Sequence, residues 1–132
     1  MGKIIIVIEK SCDYYSAYSD NIDGIYAAGA SIDEVKKDVL EAIKKIRRNL
    51  PMEQIPPLLL GEYKIHWKFD VVSFLEYYSK FISLAGLEKI TGINQRQLSH
   101  YLNGTSKPRK KQTERITDGI HNFANELLEM SI

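Results

Sequence analysis

Gln95, Arg96, Ser99 and His100 bring an amide, a guanidinium, a hydroxyl and an imidazole close together in the chain. They lie in the stretch Gly92-Ile93-Asn94-Gln95-Arg96-Gln97-Leu98-Ser99-His100-Tyr101-Leu102-Asn103-Gly104. These groups do not form or break covalent bonds as a set. Their chemistry is recognition by paired hydrogen-bond donors and acceptors, which is what base edges in a DNA major groove present. The spacing says how they would be displayed. Leu98 and Leu102 share one face of a helix, with Tyr101 beside them, so the polar residues fall on the other. Gly92 can take the positive-φ position that ends a preceding helix. Ile93 is an apolar plug behind the turn, Asn94 is a good N-cap, and Asn103-Gly104 closes the helix. Before the turn, Ser83 can cap a short helix with Leu84, Ala85, Leu87 and Ile90 pointing inward.

The charge that follows fits the same chemistry. From Gly92 to Arg115 there are six Lys or Arg (Arg96, Lys107, Arg109, Lys110, Lys111 and Arg115) against one acid, Glu114. The whole chain carries 18 basic and 17 acidic groups, so the excess is local. A basic run beside a candidate reading helix is what phosphate contact requires. Short helix pairs also occur as plain structure, and lysine-rich loops are usually just solvated. The coincidence of turn, cap, polar face and basic run favours DNA. Gln95, Arg96 and His100 are the expected base contacts, with Arg96 suited to bidentate contact with guanine. Gln97 and Ser99 complete the candidate set on that helix. Ser83, Asn94, Lys107, Arg109 and Lys110 are expected to hold phosphates. Because one such module touches few bases, a homodimer or higher oligomer on double-stranded DNA is expected.

Two dissimilar regions must position these residues. Lys3 to Glu9 is a β-branched run, read as a strand buried on both faces. Ser11-Cys12-Asp13 marks a turn, and Tyr14 to Ser19 alternates as a half-buried strand does. Ile25 to Ala28 reads as a third strand, broken by Gly29. Ser31-Ile32-Asp33-Glu34 is a capping box, and Val35, Val39, Ala42, Ile43, Ile46 and Leu50 recur at helical spacing. That predicts a helix from Ile32 to about Asn49, ahead of Pro51. Pro51 to Gly61 reads as an irregular connection, and Tyr63 to Phe69 as a strand with one wet face. Residues 1–69 are thus β-β-β-α-β, whose last strand needs a right-handed crossover. Residues 70–132 read as all helical. Val71, Phe74, Leu75, Tyr78 and Ile82 space a first helix, then come the two helices at the glycine turn. A last helix from about Gln112 carries Ile116, Ile120, Phe123, Ala124 and Leu127 on one face. Its apolar end (Leu127, Leu128, Met130) either packs on the first helix, the favoured reading, or meets a second copy. The fold class is α+β, with domains 1–69 and 70–132.

Composition limits the alternatives. Of 132 residues 44% are hydrophobic and 27% charged, the balance of a soluble globular protein. The single cysteine, Cys12, has no internal partner, which fits a reducing compartment, and a cytoplasmic location is expected. The apolar run Ile4 to Ile8 is too short to span a membrane. His66, His100 and His121 lie far apart with no ligand spacing, so neither metal nor cofactor is expected. A two-metal nuclease needs converging carboxylates. Asp13, Asp20, Asp23 and Asp33 sit at turns or a cap, Asp38 and Glu41 on the polar side of a helix, and Glu9 at a strand end. No catalytic residue and no enzymatic activity are expected, unless Glu9, Asp13 and Asp38 cluster in space. Of the eight tyrosines, Tyr14, Tyr15, Tyr18 and Tyr26 lie in or beside the sheet. Packing is their first reading, a protein interface the second and stacking on single-stranded RNA the third.

The combination of a small β-β-β-α-β domain with a following helix-turn-helix resembles the HicB antitoxins of bacterial toxin–antitoxin pairs. The local match is Gly24-Ile25-Tyr26-Ala27-Ala28-Gly29-Ala30-Ser31-Ile32-Asp33-Glu34: a glycine, a short strand, a second glycine, then a capped helix with an acid three residues on. Where that family commonly has a Pro-Asp-Leu-Pro-like segment, this chain has Asp20-Asn21-Ile22-Asp23. The helix-turn-helix resembles the lambda-repressor-like class, with Asn103-Gly104 and Lys107-Pro108 in the loop after the reading helix. The resemblance implies a partial RNase H-like first domain without nuclease activity that covers a small HicA-like, mRNA-cleaving toxin. It also implies a second domain that represses the operon. The alternative is a stand-alone repressor whose first domain senses a ligand or oligomerises.

Overall fold

The computed structural model describes residues 2–132. They form an α+β chain with a four-stranded mixed sheet and five helices. The chain divides into two compact units, Met1–Ser73 and Phe74–Ile132.

In the first unit the strands are β1 (Gly2–Lys10), β2 (Tyr15–Ser19), β3 (Tyr26–Gly29) and β4 (Tyr63–Phe69), in the order β3-β2-β1-β4. β1 runs antiparallel to β2 and parallel to β4. Its central place explains its composition, since Ile6, Val7 and Ile8 are all buried and need apolar side chains on both faces. Ile4, Ile6 and Ile8 pair in register with Ile65, Trp67 and Phe69, which puts these six on one face. Helix α1 (Ile32–Asn49) covers that face with Ile32, Val35, Val39 and Ile43, all buried. Each such side chain contributes about 1.5–3 kcal/mol. The Lys36 ammonium stands over the Trp67 and Phe69 rings, 5.2 and 5.8 Å from their centroids.

The start of α1 is fixed locally. Ser31 Oγ accepts from the Glu34 N–H at 3.1 Å, while Glu34 Oε2 accepts from the Ala30 N–H at 2.9 Å, one residue before the cap. Gly29 is required by contact, because a Cβ there would lie 2.9 Å from both Glu34 Cβ and Val35 N. Asp38 Oδ2 accepts from the Ala28 N–H at 3.0 Å and so ties α1 to the edge strand. After α1, the irregular connection contains two short 3-10 turns, Met52–Gln54 and Pro57–Leu59, the second burying Leu59 completely. Asp70 then accepts from the Lys10 N–H (3.1 Å) and the Ser73 N–H (2.9 Å), joining the end of β1 to the first turn of α2 (Val71–Tyr78).

In the second unit α3 (Leu84–Thr91) packs on both α4 (Gln95–Leu102) and α5 (Lys110–Leu128). Leu75, Leu87, Ile93, Leu98, Tyr101 and Ile116 are the buried apolar residues of this unit. Gly119 sits where α5 crosses the end of α3, and a Cβ there would come within 2.6 Å of the Ile90 carbonyl oxygen.

Several expectations need correction. β3 begins at Tyr26, not Ile25, although Ile25 is buried ahead of it. Leu50 caps α1 and is 40% exposed instead of facing the core. α2 ends at Tyr78, short of Ile82, in a tightened turn in which the Phe81 N–H donates to the Tyr78 carbonyl at 3.0 Å. Ala85 is exposed on α3, and α5 starts at Lys110, ahead of Gln112. Ala124 and Leu127 do not join Ile116 in the core. Leu127, Leu128 and Met130 are 51, 83 and 54% exposed, so the favoured packing of this edge on the first helix is not made.

Candidate nucleic-acid interface

The turn between α3 and α4 is built from three residues, each with a separate job. Gly92 adopts φ 75° and ψ 7°, the left-handed conformation that ends α3. Ile93 is 2% exposed and seals the core. Asn94 caps α4, its Oδ1 accepting from the Arg96 N–H at 2.7 Å. Two further side chains lock the turn from outside it. Thr91 Oγ1 accepts from the Ile93 N–H at 3.1 Å and donates to the Leu87 carbonyl at 2.7 Å. Arg115, on α5, donates from Nη2 to the Gly92 carbonyl at 2.9 Å and from Nη1 to Gln112 Oε1 at 3.1 Å. Its guanidinium therefore braces the turn as well as adding to the basic run.

α4 divides close to its sequence spacing, except that Leu102, expected inward with Leu98, is only half-buried. Leu98 and Tyr101 are buried, while Asn94, Gln95, Arg96, Ser99 and His100 line one open groove together with Leu84, Glu88 and Asn103. The groove thus collects five of the candidate residues. The others lie elsewhere. Ser83 caps α3, accepting from the Gly86 N–H at 3.0 Å, and its hydroxyl proton stays available to an acceptor outside. Gln97 points away from the groove's lining, and its Nε2 donates to Ser106 Oγ at 3.2 Å, pinning the loop after α4. Lys107 and Arg109 are exposed in the segment between α4 and α5, and Lys110 is the first residue of α5.

Two features were not anticipated. Glu88 reaches from α3 across the turn, and its Oε1 accepts from the Gln95 N–H at 2.6 Å. It places a carboxylate in the groove and satisfies a free N–H of the α4 start. The only hint in the sequence is an acid one helical turn before the glycine. The start of α5 is the second. No side chain caps it, and its first turn holds no acid but Lys110 and Lys111, directly after Arg109. Cations at a helix N-terminus oppose the helix dipole at about 0.3–1 kcal/mol each.

On the first unit, the carboxylates do not converge. Glu9 extends from the sheet face opposite α1, where its Oε1 lies 3.5 Å from the Tyr18 hydroxyl, whereas Asp38 binds the β3 edge from α1. Among the described residues no three His, Cys, Asp or Glu side chains are grouped to hold a metal ion. No helix among them is long and apolar enough to cross a membrane. Compared with protein families, curated proteins and solved structures, the chain finds no match in any of the three.

Proposed function

We propose that the chain is an antitoxin-type repressor: its second unit reads operator DNA through a helix-turn-helix, and its first unit binds a small mRNA-cleaving toxin of the HicA type. The observation that carries the DNA half is the groove on α4, where Gln95, Arg96, Ser99 and His100 stand together beside a turn braced by Arg115. Forked amide and guanidinium groups on an exposed helix face fit base edges. The uncapped basic start of α5 supports this, since Arg109, Lys110 and Lys111 oppose the helix dipole there and an anionic partner would offset that cost. DNA phosphate is such a partner. Glu88 fits as a positioning group that fixes the first turn of α4 through Gln95.

The toxin half rests on the resemblance of Gly24–Glu34 and on the sheet order β3-β2-β1-β4, with β4 parallel to β1, which is compatible with a partial RNase H-like sheet. The exposed Leu127, Leu128 and Met130 supply a surface on which two copies pair on a two-fold operator. A stand-alone repressor with a sensing domain is the second reading. An open depression lined by Asp23, Lys45, Ile46, Asn49, Gln54 and Pro56 favours it by offering a small ligand both polar and apolar contacts.

The test is footprinting of the full chain on DNA upstream of its own gene, with capture of its partners from the host. Arg96→Ala is expected to relax sequence choice, whereas Lys110→Ala weakens binding to all sequences and flattens the salt dependence. Protection that neither substitution alters would refute the DNA half. Recovery of a small basic ribonuclease, silenced by the chain, supports the toxin half. Recovery of the chain alone moves the first unit to the sensing reading.

A further inference from the structure

The sheet face turned away from α1 has a side-chain pattern that operator reading does not use. The registers Val7↔Tyr18, Tyr18↔Tyr26 and Val7↔Lys68 make one row across all four strands: Tyr26, Tyr18, Val7, Lys68. Beside Lys68 on β4, the same face carries His66 and Lys64, all three exposed, with no acid in that strand. Lys3 pairs with Lys64. The face therefore has tyrosines on one side, a small apolar floor at Val7 and Ile5, and a basic column on the other.

Packing does not account for the tyrosines. Tyr26 is 74% exposed on the edge strand and Tyr18 is 37% exposed beside it. We propose that this open sheet face binds single-stranded RNA, with bases stacked on Tyr18 and Tyr26 and phosphates held by Lys64 and Lys68. Aromatic rings on an exposed sheet beside a basic track are the components of sequence-tolerant single-strand binding. The spacing suits it. Strands lie about 4.8 Å apart, so Tyr18 and Lys68, with β1 between them, are two spacings apart, roughly 10 Å. A nucleotide fills that gap with its base on the ring and its phosphate at the ammonium. Lys64 and Lys68 share a face about 13 Å apart along β4, room for a short run of nucleotides. A duplex buries its bases in stacks and offers the rings nothing. A protein partner would call for a larger apolar centre depleted of charge, whereas here the apolar floor is limited to Val7 and the half-buried Ile5.

Glu9 argues for RNA over single-stranded DNA. Its carboxylate lies on this face beside the Tyr18 hydroxyl, 3.5 Å away. Next to phosphates it would repel, but it is a natural acceptor for a ribose 2′-hydroxyl, which DNA lacks. Partial desolvation, then the charges of Glu9 and Asp20, raise the Tyr18 phenol above its ordinary range. The inference depends on the first unit alone and stands or falls independently of operator reading.

The experiment is fluorescence anisotropy of the full chain with a short, unstructured, labelled RNA oligonucleotide across a salt series, with single-stranded DNA of the same sequence as the second probe. Tyr26→Ser is expected to weaken RNA binding roughly 5- to 150-fold, the range for losing one stacked base. Tyr26→Phe should restore it, because the ring is kept. Lys64→Gln with Lys68→Gln should reduce the slope of log affinity against log salt by about 1.4. Arg96→Ala, on the other unit, should leave the RNA affinity unchanged while it alters duplex sequence choice. The proposal is overturned if the RNA does not bind, if DNA binds equally well, or if Tyr26→Ser is silent. It is equally overturned if binding is lost only with Arg96→Ala, or if the lysines serve to capture an acidic protein while RNA has no affinity.

Discussion

Replacing Gly119 by alanine sets two opposed effects against each other. In the middle of α5 the change gains about 1 kcal/mol of helix propensity. Against it, the new Cβ would lie 2.6 Å from the Ile90 oxygen, 3.0 Å from Thr91 Cα and 3.2 Å from the Ile90 carbonyl carbon. All three are backbone atoms, so no side chain can swing away. Reaching an ordinary 3.4 Å contact requires α3 and α5 to part by about 0.8 Å at their crossing. Overpacking of this kind costs about 1–3 kcal/mol, and the separation also loosens Leu87 and Ile116 in the core beneath. A net loss of up to about 2 kcal/mol is expected for Gly119→Ala, and a larger one for Gly119→Val, which adds bulk with less of the propensity gain. A single unfolding curve does not serve a chain of two compact units. The assay is native-state hydrogen exchange read by mass spectrometry, with α3 and α5 amides followed separately from those of the sheet. A rise of about 1 kcal/mol in the protection of α3 and α5 would mean that propensity wins. The close crossing would then be wrong, and with it the platform that presents α4.

Glu88→Ala is expected to act with opposite signs on two measurements. Removing the acceptor of the Gln95 N–H should lower the hydrogen-exchange protection of α4 by about 1 kcal/mol, while loss of a carboxylate from the groove should tighten duplex DNA binding in an anisotropy titration; weakened binding would show that its hold on the first turn of α4 outweighs its charge. Gly92→Ala should cost about 1–2 kcal/mol in the hydrogen-exchange protection of α3 and α4 because of the left-handed backbone, and Gly92→Asn less, since asparagine tolerates that region. Equal losses would assign the cost to displacement of the Arg115 guanidinium, which lies 2.9 Å from the Cβ position. Leu127→Ser with Leu128→Ser should leave stability within about 0.5 kcal/mol, as both side chains are already exposed. The same pair should shift sedimentation from dimer toward monomer; an unchanged sedimentation profile would move the pairing surface elsewhere.

Elements with a complete local signal were legible in the sequence. β4 spans Tyr63–Phe69 as its alternation predicts, because one wet face forces period two into the residues themselves. α1 spans Ile32–Asn49 because a capping box and a proline mark its two ends. Where the signal was hydrophobicity alone, the boundaries slipped. Ile25 is buried without belonging to β3, its carbonyl accepting from the Ser19 N–H in the turn before the strand. Apolar spacing carried α2 on to Ile82, yet the chain tightens after Tyr78 so that Ser83 can cap α3. Periodicity also marked Leu127 as part of an apolar face without saying what covers it.

The candidate site divides along the same physical line. Gly92, Asn94 and the α4 face depend on near neighbours, so residue type and spacing were enough to find them. Glu88, Gln97 and Arg115 owe their places to chain reversals. Glu88 reaches Gln95 because the turn folds α4 back beside α3, and Gln97 meets Ser106 because the loop after α4 returns. Arg115 reaches Gly92 only once Gly119 lets α5 lie close against α3. In sequence, an exposed arginine in a basic run reads as a phosphate contact; in the fold, two of its nitrogens are already committed to the turn and to Gln112. A guanidinium open to a partner and one that holds the turn still therefore have the same chemistry. What separates them is whether their donors are spent inside the protein, which leaves Arg96, and not Arg115, as the guanidinium to test for base choice.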